Sequence, residues 1–357
     1  MRFQFLIGIL ICYTASTAAA DDYRPYTTLQ SINYSQPISL ASMLGEWNPP
    51  FKGGDKALTF NKAEIGVMGN GWQFGIFKRY DYFLKFSRST AELYYLTENH
   101  LPLEAGKNYP LRIEARHQLS RGLRLGFQRN ISPSLKVGLA ASYLQGMELV
   151  DGKLDGNAVS TGDKDYDFQF DVDYTYSRDV LFERHTPAPQ GDGYSLDLKL
   201  DWRPTMRFTG RLTVIDLLGK LYWKDAPYTV ATASSDTKTY DSDGYVRYKA
   251  LISGYESNKD YVQKLPRKIF ISTQYQYSDS TELLFEAQDL VIQRFTSLGA
   301  GWRQAQDSHL QGLYNFTAKA VTLRYSNNNL LLELGSDSWN VDRARYFVLQ
   351  FAYHHAL

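Results

Sequence analysis

The stretch DYDFQFDVDYTY places Asp165, Asp167, Asp171 and Asp173 close together. A row of carboxylates can hold a cation or guide cations along a wall, and its members repel one another unless positive charges lie near. Just upstream, DGKLDGNAVSTGDKDYD adds Asp151, Asp155 and Asp163, but the twelve-residue calcium loop with its closing Glu is absent. The six histidines are His100, His117, His185, His309, His354 and His355, and none has HExxH or a comparable metal spacing. Asp307-Ser308-His309 offers the residue types of a hydrolase. Neighbouring strand residues point apart, however, and a triad needs convergence that adjacency does not give. The sequence therefore supplies no catalytic residue, no metal site and no cofactor requirement, and it reads as a non-enzyme. The residues left with a role are Asp165, Asp167, Asp171, Asp173, Asp197, Lys199 and Arg124, as the lining of an ion or substrate path.

These charges need elements to position them. In a strand, side chains alternate between two faces. DYDFQFDVDYTY then puts Tyr166, Phe168, Phe170, Val172, Tyr174 and Tyr176 on one face and the aspartates on the other. A soluble sandwich would lay the apolar face on a core; a membrane barrel would turn it to lipid and the polar face to a wet lumen. In the barrel reading, Phe168 and Phe170 face lipid, and Lys199, Arg124 or Lys136 relieve the acidic row as a charged ladder. The alternation recurs in YSLDLKLDW, where Tyr194, Leu196, Leu198, Leu200 and Trp202 oppose Ser195, Asp197, Lys199 and Asp201. It recurs again in LKVGLAASY, LRLGFQR and, less cleanly, IFISTQYQY. GWQFGIFKRYDYF and ELLFEAQDLVIQ alternate poorly.

The ends and the composition favour the barrel. MRFQFLIGILICYTASTAAA has the layout of a secretory leader, residues 1–20, cleaved before Asp21. Its removal takes away Cys12, the only cysteine, and with it any disulfide or thiol chemistry. One of the 39 basic residues is Arg2 in the leader, so the remaining chain balances its 38 acidic ones. Basic residues are spread out, and no nucleic-acid partner is expected. Twenty-seven Tyr and a 15% aromatic share, with mean hydropathy −0.39, fit a chain with half of each strand in water. The C-terminal YFVLQFAYHHAL sets Phe347, Leu349, Phe351, Tyr353, His355 and Leu357 on one face. That is similar to the last strand read by the barrel-assembly machinery, although the pattern there ends on an aromatic residue and here on Leu357.

Turn signals at Asn130–Pro133, Arg203–Thr205 and Asn327–Asn329 read as short periplasmic connections. Four strands, 134–144, 146–160, 163–176 and 193–203, are expected between the first two, with 177–193 as an outer loop. Residues 224–244 read as a second long polar stretch. Residues 21–55 fall outside the strand pattern and read as a hatch in the lumen or a periplasmic arm. The hatch is preferred because Tyr23, Tyr26, Leu29, Ile32 and Tyr34 are poorly suited to open water, with ISLASMLGEW as a short helix capped by Ser39.

SLKVGLAASYLQGMEL, GYSLDLKLDWRPTMRFTGRLTVIDLLGKLYW, SGYESNKDYVQKLPRKIFISTQYQYS and NFTAKAVTLRYSNNNLLLELGSD together resemble a family of uncharacterised bacterial outer-membrane barrels. That family is grouped with the FadL-like long-chain fatty acid transporters and the TraF-like conjugal-transfer barrels. The resemblance covers roughly residues 55–357; its motifs are Leu-Pro before a strand and Asp-Leu-Leu-Gly ahead of Trp223. It implies an all-β chain: one antiparallel transmembrane β-barrel over 56–357, of about 14 strands within a range of 12–16. By analogy it also implies passage of a small, hydrophobic molecule. The alternative is a structural or assembly component of the envelope without transport, and an outer-membrane hydrolase ranks last. The expected setting is the cell outer membrane, with its lipid, the assembly machinery and a small-molecule ligand as partners.

Overall fold

The computed structural model describes residues 23–43, 45–182, 185–304 and 308–354. The leader with its cleavage site before Asp21, and also Leu44, Asp307, His355 and Leu357, lie outside the described residues. Runs with period-two alternation form strands β1 (Arg24–Ser35), β2 (Lys56–Gly69), β3 (Trp72–Phe86), β4 (Asn108–Ser132), β5 (Leu135–Ser160), β6 (Tyr166–Tyr176), β7 (Gln190–Thr205) and β8 (Phe208–Tyr240). They continue as β9 (Val246–Lys264), β10 (Lys268–Gln276), β11 (Thr281–Asp289), β12 (Arg294–Arg303), β13 (His309–Asn315), β14 (Ala320–Ser326), β15 (Leu330–Ser336) and β16 (Tyr346–His354). Neighbours are antiparallel, and β1 pairs both β2 and β16, which closes the ring.

Sixteen strands make a barrel of fourteen positions. The lower half of β5 pairs β7 and its upper half pairs β6, so β6 and β7 share one position end to end. In the same way β8 pairs β10 low down and β9 above, with Leu265-Pro266-Arg267 between them. Pro266 brings no amide hydrogen to the ladder, a reason for the break.

Several expectations are corrected here. Residues 134–144 and 146–160 are one strand, β5, kept continuous through an irregularity opposite Leu119 and Ser120. The segment after Tyr176 lies on the outer side as expected, but it does not join two paired strands; it interrupts one position of the wall between β6 and β7. Residues 224–240 are strand, and β8 passes the polar stretch by an irregularity at Asp225, whose φ is +51°. The hatch is replaced by a wall strand at residues 24–35: β1 turns Tyr26, Ile32 and Tyr34 into the lumen and Leu29 outward beside Phe351. Both faces therefore leave water, which meets the need that suggested a hatch. The expected helix shrinks to α1 (Leu40–Met43), where Ser39 Oγ accepts from the Ser42 amide at 3.2 Å. A longer helix, α2 (Arg88–Glu98), stands between β3 and β4, capped by Ser87.

Turns at 70–71, 133–134, 206–207 and 327–329 lie at the end that holds Arg24 and His354, whereas 36–55 and 87–107 lie at the other. Short turns mark the periplasmic end. Phe74, Ile76, Leu123, Leu125, Phe127 and Leu139 present exposed apolar side chains around the lower wall. Tyr143, Tyr194 and Tyr222 bound that band above, and outward-facing Lys78, Arg121, Gln145 and Asp192 follow directly. An apolar band edged by aromatic rings is the signature of a wall in lipid.

That band corrects the depth of β6. Tyr176 pairs Val150, beyond Gln145, so β6 stands above the membrane band. Its apolar face continues the outer side of the wall but is covered: Phe168 packs with Leu93 and Leu96 of α2, and Phe170 and Tyr174 with Phe182. Leu125, in mid-band, takes over as the lipid probe. Leu125→Arg is expected to cost about 2–4 kcal/mol in reversible unfolding from lipid, and Gln128→Arg, on the lumen side, within about 0.5 kcal/mol. Equal costs would mean the faces are exchanged.

Candidate functional site

Four charged side chains from three strands meet inside the barrel at mid-height. β3 supplies Arg79 and Asp81, β8 Asp216 and β10 Lys268, and each is at most 3% exposed. Arg79 Nε donates to Asp81 Oδ1 at 2.9 Å and Nη1 to Asp216 Oδ1 at 2.9 Å. Lys268 Nζ donates to Asp81 Oδ2 and Asp216 Oδ2, both at 2.7 Å. Two cations and two anions cancel, which is the condition for burying them at all. The Phe60 ring lies 5.6 Å from both cations and Phe83 5.5 Å from Lys268, distances at which an aromatic ring attracts a cation. Asp216 reaches the centre because β8 carries extra residues opposite Asp197; its φ of +55° is a conformation Asp tolerates better than most residues.

Polar contacts run from this quartet along the wall. Ser195 Oγ donates to Asp216 Oδ1 at 2.7 Å, and the Asp216 amide donates to Asp197 Oδ1 at 3.0 Å. Arg124 sits between Asp197 (3.4 Å) and Glu64 (3.5 Å) in ion-pair contact, and Lys62 lies 2.7 Å from Glu64. Tyr26 donates to Glu64 as well. On the far side, Arg324 clasps Glu286 (2.7 Å) and Glu333 (2.6 Å), while Gln311 and His309 hold Glu282.

On the outer side of the quartet an apolar cluster packs inside the barrel. Ile32, Leu58, Phe60, Phe83, Phe295 and Val348 converge there from five strands. A second inward cluster joins Phe77, Leu144, Leu149, Leu221, Trp223 and Leu265. Trp223 lies flat on the wall over Gly146 and Gly191, where an added Cβ would sit 2.5 Å and 2.6 Å from the indole.

The predicted charges separate into two groups. Arg124 and Asp197 meet in the lumen, and Lys199 lies 3.6 Å from Asp201 nearer the periplasm. Asp167, Asp171 and Asp173 are exposed above the membrane band on the face continuous with the lumen, with Asp165 beside them. The expected ladder with Lys199, Arg124 or Lys136 is corrected: Lys238 pairs Asp165 (3.1 Å) and Asp167 (3.0 Å), and Thr232 donates to Asp171. Cross-strand neighbours on β8 are simply closer. Sequence reading missed Arg79, Asp81, Asp216 and Lys268. Two weak signals existed: the poor alternation of GWQFGIFKRYDYF, where charges interleave with rings, and the Asp of Asp-Leu-Leu-Gly, which is Asp216. Among the described residues, no group of His, Asp and Glu is placed to hold a metal ion.

Lys268→Met would leave one uncompensated buried negative charge, at a cost of about 3–5 kcal/mol. Adding Asp81→Asn restores neutrality and should return a large part of the loss. Urea midpoints of the lipid-refolded barrel measure both; a wild-type midpoint for Lys268→Met would show that the quartet does not hold the wall together.

A family model described as a family of unknown function (DUF5723) matches residues 56–330. No curated protein matches the chain in sequence. Among solved structures the chain is similar to the deltaS2S3 mutant of TodX, a monoaromatic hydrocarbon channel, with 10% identity and TM-score 0.45 over 95% of this chain and 91% of that one. It is similar to the toluene transporter TodX of Pseudomonas putida, with 10% identity and TM-score 0.40 over 94% and 89%. A FadL homologue of Pseudomonas aeruginosa gives 8% identity and TM-score 0.38 over 94% and 88%. The family match covers well over half of the sequence, and the protein belongs to the DUF5723 family.

Proposed function

We propose that the protein is an outer-membrane barrel through which a small hydrophobic molecule passes. The observation that carries this reading is the apolar cluster of Ile32, Leu58, Phe60, Phe83, Phe295 and Val348 that fills the outer lumen. A water-filled pore lines itself with polar side chains. An apolar interior instead favours an apolar solute, by about 25 cal/mol for each Å² removed from water. Below it stands the quartet, which the solute passes either as Arg79 and Lys268 part from their carboxylates or by going around them. Arg124, Asp197 and Lys199 are the predicted path residues we retain in the lumen, with Asp165, Asp167, Asp171 and Asp173 at the outer approach.

The same reading includes export with cleavage before Asp21, and recognition of β16 by the assembly machinery through its outward row Phe347, Leu349, Phe351 and Tyr353. Cells producing the protein should take up the apolar dye N-phenylnaphthylamine faster than cells without it. Ile32→Gln with Leu58→Gln, which makes the lining polar at similar size, should slow that uptake without removing the barrel from outer-membrane fractions. Unchanged uptake, or recovery of the chain as a soluble periplasmic protein, would overturn the reading.

A further inference from the structure

We propose that the periplasmic mouth of the barrel is an anion-binding site, built for the carboxylate or phosphate of a small molecule. A cavity of about 550 Å³ opens there against the inward faces of β4, β5, β7 and β8. That volume lies within the usual range of small-molecule sites, about 300–1,000 Å³. Its charged lining is Lys136, Lys199, Arg203, Arg211 and a single carboxylate, Asp201. Asp201 is already engaged, 2.6 Å from Arg211 Nε and 3.6 Å from Lys199 Nζ. Lys136 stands opposite Asp201 across the β5–β7 pair and makes no ion pair among the described residues, nor does Arg203. The excess is three positive charges in a chain that is otherwise nearly neutral.

The neighbouring wall supplies the contrast. Ser272 of β10 pairs Arg211 on one side and Glu286 on the other, so the basic patch borders an acidic one. There the negative charges are held: Glu286 and Glu333 by Arg324, Glu282 by Gln311 and His309. The acidic half thus finds its direct partners within itself, although its three carboxylates outnumber Arg324, whereas Lys136 and Arg203 in the basic half have no ion-pair partner among the described residues. A low-dielectric wall concentrates such a field, and an arginine fork fits the paired oxygens of a carboxylate or phosphate. Gln128, Asn130, Ser132 and Ser134 at the rim add uncharged donors. The site deepens the passage reading by giving the passing molecule an anionic head, and rests on that reading for this assignment alone; anion binding itself can be measured where no passage occurs.

The test uses the full barrel in nanodiscs with acetate, hexanoate, inorganic phosphate and hexanol as probes, followed by calorimetry and ligand-observed NMR. The anions should bind, and Lys136→Gln with Arg203→Gln should weaken them about tenfold, equivalent to about 1.4 kcal/mol, while leaving hexanol unchanged. Arg129→Gln removes a charge from the outer side of the same wall and should leave anion binding as it was. Hexanoate tighter than acetate assigns the site to an amphiphile's head group; equal affinity assigns it to a free anion. Wild-type affinity in the double variant, equal weakening by Arg129→Gln, or hexanol binding as well as hexanoate would each overturn the proposal. A double variant that fails to insert is replaced by Lys136→Met alone, read by the same weakening of phosphate.

Discussion

Within hydrocarbon there is no water to satisfy a free backbone amide or carbonyl, and each one left unpaired costs several kcal/mol. A sheet in lipid must therefore close. Here closure falls on the pairing of β1 with β16, from Tyr26 against His354 to Tyr34 against Tyr346. Everything else follows from that seam. It draws the N-terminal segment into the wall, brings both described ends to the periplasmic side, and turns Tyr26 toward Glu64 and Arg124.

Closure creates an interior, and the interior is filled by side chains. The quartet of Arg79, Asp81, Asp216 and Lys268 joins strands far apart in sequence, 137 residues from Arg79 to Asp216. Its members have no water to replace a lost partner, so they are held together by mutual need. Above them the aromatic and aliphatic cluster keeps water out, which strengthens the ion pairs beneath. An open aqueous pore would need the opposite distribution.

The wall itself is uneven. The strands near β5 and β8 rise well past the tyrosine band, and two positions are each divided between two strands. Above the membrane the outer apolar face has no lipid to meet, and α2 and the segment around Phe182 cover it instead. The acidic row of β6 stays in water and is partly neutralised by Lys238. Hydrophobic cover thus comes from lipid low down and from the chain's own connections higher up.

Local periodicity settled which way the side chains point. Leu123–Phe127, Leu135–Tyr143, Tyr194–Trp202 and Phe347–Tyr353 have the outward rows that alternation requires, because a strand's two faces are fixed by residue parity alone. The short turns near Pro133, Pro204 and Asn328 were legible too, since their residues disfavour strand. Depth and partnership were not legible. Nothing in DYDFQFDVDYTY distinguishes a lipid-facing surface from one covered by a helix, for both demand the same rings. Nothing local tells that β6 and β7 share one position, that β1 is wall rather than hatch, or that Lys268 meets Asp81. Those depend on which distant strand pairs with which, and at what register. Only the closed ring imposes that.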